Sequence, residues 1–383
     1  MKITIIGWYG TETLGDRAIL AGLVSILNKT FPGYSIYLGS LYPFFSERTI
    51  AEDSEVYKKL TGKDITLEIF DSTDSRVLSN RVQESDLLLM GGGPLMDLNA
   101  LYMVEFAFKK ARKYGVKTGL IGCGVGPLFS RRYQKTVIEI CRNSDIIILR
   151  DKQSLENLSA LYRKYNIRMP DSCSVSMDPS VESILEIDLA NSAQSTDIIA
   201  INLREFPREY TKNREVGEIA DNLREFVADV ADAYPEQEVR LIPMHYFHIG
   251  GDDRVFLNNL ALTLCKENIT VQNKNLSLIE TMGAFHSANV TIGMRFHAVI
   301  FQTLLHGNNY IIDYTEPEKG KISGFVGDID TEKFYRDRYV NIQKDKIRDN
   351  FVNDNTGSVF TANENQIRRR LEIYVDSLSM LNG

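Results

Sequence analysis

"DLLLMGGGPLMDLNALYMVEFAFKKARKYGVKTGLIGCGVG", from Asp86 to Gly126, contains the repeating unit of the fold. Its first run, "DLLLMGGG", is too continuously apolar to alternate in and out, so it reads as a strand buried on both faces. "ALYMVEFAFKKARKYG" has helical periodicity and ends in lysines, an arginine and a glycine stop, as a helix C-terminus should. "KTGLIGCGVG" then repeats the buried-strand pattern. Two such strands with a helix between them make a βαβ unit, which implies a parallel sheet covered on both faces.

The same alternation runs in both directions from this stretch. Upstream lie the strand-like runs "KITIIG", "YSIYLG" and "TLEIF", with "GDRAILAGLVSILNKTF" as a helix; "DIIILRD" follows downstream. Near Asp178 and Pro179 the pattern breaks, and "PSVESILEIDLANSAQSTD" reads as a polar, weakly periodic linker. Alternation restarts with strand "IIAINLRE", a helix from Val216 to Tyr234, and strand "VRLIPM". Helix "DDRVFLNNLALTLCKE", strand "ITVQNK" and helix "SLIETMGAFHSA" come next. Strand "NVTIGM", helix "RFHAVIFQTLLHG" and strand "NNYIIDY" complete the series. A last amphipathic helix, roughly Asn363 to Met380, is expected to pack back on the body. The reading is α/β: two doubly wound Rossmann-like domains facing a cleft, the GT-B-like architecture. The expected boundaries are 1–180, 196–345 and a C-terminal extension over 346–383.

Bulk properties narrow the function. A chain of 383 residues is long enough for two cores. A net charge of -7 argues against a nucleic-acid partner, which calls for a basic face. "MKITIIGWYG" begins at once with a strand and lacks signal-peptide architecture, and no run approaches membrane-spanning length, so a cytoplasmic location is expected. Cys123, Cys141, Cys173 and Cys265 have neither metal-ligand nor disulfide-framework spacing.

Ligands of open parallel sheets bind beyond the carboxyl ends of the strands, which directs attention to four clusters. In "GWYGTETLGD", Asp16 either caps a helix or accepts a hydrogen bond from a substrate hydroxyl; Gly7, Gly10 and Gly15 do not fit a dinucleotide fingerprint, so a cofactor fold is rejected. "MGGGPLMD" and "GCGVGP" are glycine-rich strand exits, and Gly92, Gly93 and Gly124 there allow either a tight turn or close approach to a ligand, with Asp97 nearby. In "LRDKQS", Arg150 either pairs with a neighbouring acid or faces a ligand. "GMRFHA" places Arg295 and His297 at a helix N-terminus, where a cation and free amides can hold a phosphate or carboxylate. His245 follows a strand in the same half. His248 is close to it, but no third ligand has zinc spacing, so no metal is expected. His286 and His306 read as structural.

These motifs, in this order, resemble those of the polysaccharide pyruvyl transferase family: "GWYGTETLGD", "MGGGPLMD", "GCGVGP", "LRDKQS" and "GMRFHA". A tyrosine and a lysine follow in the family, matched here by Tyr314 and either Lys319 or Lys321 in "DYTEPEKGK". The resemblance spans roughly residues 1 to 325. Departures fall at Thr13 and Leu14, at Arg17, and at Met96 and Asp97, where the spacing is altered.

The resemblance implies transfer of pyruvate from phosphoenolpyruvate to two hydroxyls of a sugar, forming a cyclic ketal. The acceptor would be a lipid-linked saccharide or surface polysaccharide, with no metal or organic cofactor. On that reading, Arg295 and Arg150 hold the donor, with Gly124 beside it and Arg204 and Lys319 or Lys321 in reserve. His297 would move protons, since its pKa range suits both acid and base roles, with Asp16 orienting or deprotonating the acceptor. Gly92, Gly93, Asp97 and His245 are assigned to the acceptor side. The competing reading is a nucleotide-sugar glycosyltransferase of the same architecture, with Glu280 as its nearest ribose-binding acid; a saccharide-binding scaffold is a third. "QIRRRLEIYV" in the last helix either touches anionic lipid at the membrane periphery or is a solvated face.

Overall fold

In the computed structural model of the protein, the apolar runs of the first half become β1 (Lys2–Ile6), β2 (Ser35–Ser40), β3 (Leu67–Asp71), β4 (Leu87–Gly91), β5 (Pro94–Leu95), β6 (Lys117–Val125), β7 (Ile146–Leu149) and β8 (Cys173–Val175). They pair in parallel in the order β3-β2-β1-β4-β6-β7-β8, with β5 beside β6. Ile5 sits between Leu38 on one neighbour and Leu89 on the other. All three are fully buried, which is why these strands carry uninterrupted apolar sequence. The structure describes residues 1–187, 189, 196–207, 216–347 and 358–382.

The second half supplies β9 (Ile198–Asn202), β10 (Glu238–Leu241), β11 (Ile269–Val271), β12 (Val290–Gly293), β13 (Asn309–Asp313) and β14 (Tyr339–Asn341), again all parallel, in the order β11-β10-β9-β12-β13-β14. Counted from its own first strand, this is the 3-2-1-4-5-6 order of a doubly wound dinucleotide-type sheet; the first sheet has the same order at its centre. The protein is therefore α/β with two Rossmann-like halves. The chain divides into two compact units: Met1–Glu12, Asp16–Ile187 and Glu364–Gly383 in the first, Thr13–Gly15 and Asp188–Asn363 in the second.

Two differences from the sequence reading have physical causes. The stretch read as a linker contains a helix, Ser180–Glu186, that belongs to the first unit. Val181 and Ile184 are buried, Ser183 donates to the Ala18 carbonyl at 3.1 Å, and buried Glu182 accepts from Ser25 at 2.7 Å and pairs with Lys29 at 2.6 Å. Its polar residues find partners on the helix Leu14–Thr30, and no periodicity count could reveal that. Residues 188 and 190–195 of the same stretch lie outside the described residues. The short strands β5, β8 and β14 have no apolar run of their own and were not anticipated.

The last helix, Glu364–Ser379, buries Ile367, Leu371, Tyr374 and Leu378 in the first unit. The Tyr374 hydroxyl donates to the Met177 carbonyl, and Ser176 donates to the carbonyl of Arg370 at 2.6 Å. Of the three adjacent arginines, Arg368 pairs with Glu186 and Glu364, and Arg370 donates to the Ser176 carbonyl. Arg369 is exposed. No helix among the described residues is long and apolar enough to cross a membrane.

Candidate functional site

In a doubly wound sheet the ligand crevice opens where the strand order reverses, which in the second sheet is between β9 and β12. β9 ends at Asn202 and leads to Arg204; β12 ends at Gly293 and leads to Arg295 and His297. Asn202 is wholly buried. It donates to the Ile242 carbonyl at 2.8 Å and accepts from the Arg295 amide at 3.0 Å, so one side-chain amide joins the exits of β10, β9 and β12. Arg295 stands at the N-cap position of the helix Phe296–Leu305 without a side-chain capping bond, and His297 is the second residue of that helix.

The Arg295 guanidinium is gripped by Asp253, with Nε to Oδ2 at 2.7 Å and Nη2 to Oδ1 at 2.5 Å. Asp253 is buried, and its Oδ2 also accepts the backbone amides of Met244 and His245 at 3.0 and 3.1 Å. A buried carboxylate requires this degree of pairing. Asp253 thereby fixes the planar fork of Arg295 and the turn carrying His245 in one network. Sequence reasoning missed it: "GGDD" offers two acids, and only the fold shows that Asp252 caps the helix Asp253–Leu264 while its neighbour turns inward.

Two further cations meet at Tyr314, just past β13. Arg204 lies over its ring at 5.2 Å, with Nη1 3.5 Å from the hydroxyl, and Lys321 lies over the same ring at 5.7 Å. Lys321 also approaches the Phe296 ring, at 5.8 Å. Burial pushes the Tyr314 phenol up, but Lys321, then Arg204 and Arg295, outweigh it and bring the phenol down to about 8. Of the two lysines the sequence left open, Lys321 is the one at the Tyr314 ring, and Lys319 is exposed.

His297 packs against Gly15, in the short segment 13–15 of the second unit, where a Cβ would lie 1.9 Å from its Nδ1. The same short segment is tied down by Leu14, whose amide donates to Met244 at 3.0 Å, and by a bridge from Thr13 to His245. His245 itself is buried, 4% exposed. His286 and His306 bond the carbonyls of Leu305 and Ala288 at 2.8 and 2.6 Å, stitching helix ends together. Glu280 closes a capping box with Ser277, accepting its amide at 2.7 Å. Among the described residues, no group of three His, Cys, Asp or Glu could hold a metal ion.

The remaining sequence candidates lie in the first unit. At its corresponding reversal point, between β1 and β4, the buried aromatic side chains of Trp8 and Tyr9 are bonded to backbone carbonyls. Tyr9 donates to the Gly91 carbonyl at 2.7 Å, and Trp8 donates to the Pro94 carbonyl at 3.2 Å. Gly92 and Gly93 have φ of 69° and 73°, and a Cβ on either would run into Ile19 or Trp8 at 2.4 Å. Close internal packing therefore accounts for both glycines. Gly124 makes room for the guanidinium of Arg150, which would meet a Cβ at 2.4 Å. Arg150 is buried, with Nε 3.2 Å from Asp151 and Nη1 3.5 Å from Asp178. Asp97 accepts the amides of Phe129 and Ser130 at 3.2 and 2.9 Å and so holds the loop after β6. Asp16 lies in the first turn of the helix Leu14–Thr30, and Arg17 forms a two-point pair with Asp53 at 2.6 Å on both arms. Of the candidates, the second unit gathers Arg204, Arg295, His297, His245 and Lys321; the first holds Asp16, Gly92, Gly93, Asp97, Gly124 and Arg150.

The family model described as "Polysaccharide pyruvyl transferase" matches residues 14–316. Among solved structures, the UDP-GlcNAc 2-epimerase from Neisseria meningitidis bound to UDP-GlcNAc is 12% identical, with a TM-score of 0.54 and 99% of each chain covered. A putative UDP-N-acetylglucosamine 2-epimerase from Listeria monocytogenes is 16% identical, with a TM-score of 0.52, covering 82% of this chain and 79% of that one. At such identities the likeness is one of fold, the two-domain GT-B type. No curated protein matches the sequence.

Proposed function

The chain belongs to the polysaccharide pyruvyl transferase family, and from that premise we propose that it transfers pyruvate from phosphoenolpyruvate to two hydroxyls of a sugar in a lipid-linked saccharide. The products are a cyclic ketal and phosphate, and the ketal decorates a cell-surface polysaccharide such as a capsule or exopolysaccharide. The observation that carries the reading is the meeting of Arg204, Lys321 and Arg295 around Tyr314 at the reversal point of the second sheet. Phosphoenolpyruvate presents a carboxylate and a phosphate on adjoining positions, and such a pair of anions calls for more than one cation. The Arg295–Asp253 pair has no net charge, so Arg204 and Lys321 supply the positive charge and Arg295 the fixed planar donor.

The chemistry assigns a task to His297. The enol methylene must gain one proton, which makes C2 electrophilic; each sugar hydroxyl loses one as its oxygen bonds to C2; the C2–O bond to phosphate breaks. Of the two hydroxyl protons, one ends on the new methyl group and the other on phosphate. Histidine is the residue type suited to such proton traffic, and His297 stands in the first turn of its helix, two residues from Arg295. Asp16 is proposed to take up the acceptor's proton. Phosphoenolpyruvate is itself the activated donor, so the reaction asks for no metal or organic cofactor.

The test is incubation of the protein with phosphoenolpyruvate and a panel of lipid-linked or synthetic glycosides, read by mass and by phosphate release. Ketal and phosphate should form in equal amounts, and His297→Ala should slow both by about 10²–10⁴-fold while phosphoenolpyruvate still binds. Turnover of UDP-sugars without any ketal would replace this reading with a glycosyltransferase.

A further inference from the structure

Tyr314 is 2% exposed, yet two cations share its ring, Arg204 at 5.2 Å and Lys321 at 5.7 Å. Like charges normally separate in a folded protein. Here the electron-rich ring face offsets their repulsion, because a cation over an aromatic face is attracted to it. The backbone holds the ring from below: Gln343 donates to the Tyr314 carbonyl at 2.8 Å, and the preceding residue, Asp313, is bonded by Thr315 and Tyr339. Phe296, packed beside His297, holds Lys321 from another side. Two cations held against one buried ring suit a ligand with two neighbouring anionic groups.

We infer that Tyr314 is a positioning residue, whose ring holds Arg204 and Lys321 as a matched pair for the carboxylate and phosphate of one donor molecule. This rests on the donor assignment above but makes a separate claim, since the ring, as their spacer, would act on any ligand with two adjacent anionic groups.

The phenol supplies a readout that a merely structural tyrosine would not. The charged groups facing it are Arg204 after β9, Arg295 after β12 and Lys321 on the helix Lys321–Ile329; Asp253 reaches it only through Arg295. Asp313 is wholly buried and bonded, its carboxyl raised by burial, and exposed Glu318 pairs with Lys344. With a free-site phenol at about 8, its ionisation puts a negative charge between the two cations. The sign follows directly. Below that pH the site is fully cationic and binds anions best; above it, affinity falls, and binding takes up a proton because a bound anion raises the phenol again. The donor's phosphate has its second pKa at about 6, so its charge is constant in the window of interest.

The experiment is calorimetric titration of the full chain with phosphoenolpyruvate and, separately, UDP, from about pH 7 to about pH 9.5. Tyr314→Phe and Tyr314→Leu are titrated alongside, and melting curves check that each is folded. For the wild type, the donor's Kd should hold steady to about pH 8 and then rise, approaching about tenfold per pH unit. Tyr314→Phe keeps the ring but removes the hydroxyl that Arg204 approaches, so its profile from about pH 8 upward should be flat. Tyr314→Leu loses the ring and should bind at least about tenfold more weakly at every pH, as expected when two cations lose their common support. Equal donor affinity in all three proteins, or a wild-type rise that persists in Tyr314→Phe, overturns the spacer and leaves the donor assignment standing. Binding of UDP alone, with a pH-dependence that Tyr314→Phe abolishes, supports the spacer and overturns the donor. Failure of both anions to bind the wild type overturns both.

Discussion

His297 occupies the space where a side chain on Gly15 would sit: a Cβ there would lie 1.9, 2.5 and 2.6 Å from three atoms of its ring. Gly15→Ala must therefore push the imidazole aside. A displacement of about 1 Å at a reacting group can lower turnover on the order of 10²-fold. Ketal formation by Gly15→Ala should fall by about that factor, with a loss of stability of about 1–3 kcal/mol from the overpacked contact; unchanged turnover in the folded variant would remove His297 from the chemistry. Much at this level was readable in advance. Arginine and histidine two apart after a buried strand stand out against only five histidines. Asp253 and Asn202 did not stand out, because their importance lies in bonds to residues tens of positions away, Arg295 and Ile242. Arg150 was legible only as an alternative, a pairing with Asp151 or a role toward a ligand, and its guanidinium lies beside Asp151 and Asp178, against Gly124.

The helix Lys152–Lys164 shows how one residue serves two elements. Asp151 caps it through the Ser154 amide at 2.6 Å and also pairs with Arg150 at the tip of β7. Asp151→Ala should destabilise the protein by about 3–5 kcal/mol, chiefly by leaving a buried guanidinium short of a partner. Asp151→Asn keeps an oxygen for the cap, so about 1 kcal/mol should separate the two variants in urea unfolding. A difference near zero would mean that the cap contributes nothing. Elements with a long apolar or periodic signature were the readable ones, β1, β4, β6 and the helices Leu101–Tyr114 and Glu364–Ser379 among them. β8, β14 and the helix Ser180–Glu186 were not, since short edge strands and a helix held by polar partners have little apolar pattern to declare them.

For the molecule as a whole, the decisive feature is that the first unit is completed by the chain's last helix. Four large side chains, Ile367, Leu371, Tyr374 and Leu378, are buried there, and each contributes about 1.5–3 kcal/mol. Their sum approaches the entire stability of an ordinary domain, about 5–15 kcal/mol. A chain ending at Asn363 should therefore lose the first unit. Limited proteolysis should cleave it readily within residues 1–187, and residues 364–383 added as a separate peptide should restore resistance. Resistance without the peptide would show the helix to be dispensable. On the ribosome this arrangement imposes an order. The first-made half emerges with an apolar groove that nothing can cover until all of Asp188–Asn363 has been translated. At about 5–20 residues per second that is a wait of roughly 10–35 s. A nascent chain so long incomplete is a natural client for chaperones, and a stop codon late in the message would ruin the part of the protein that was made first.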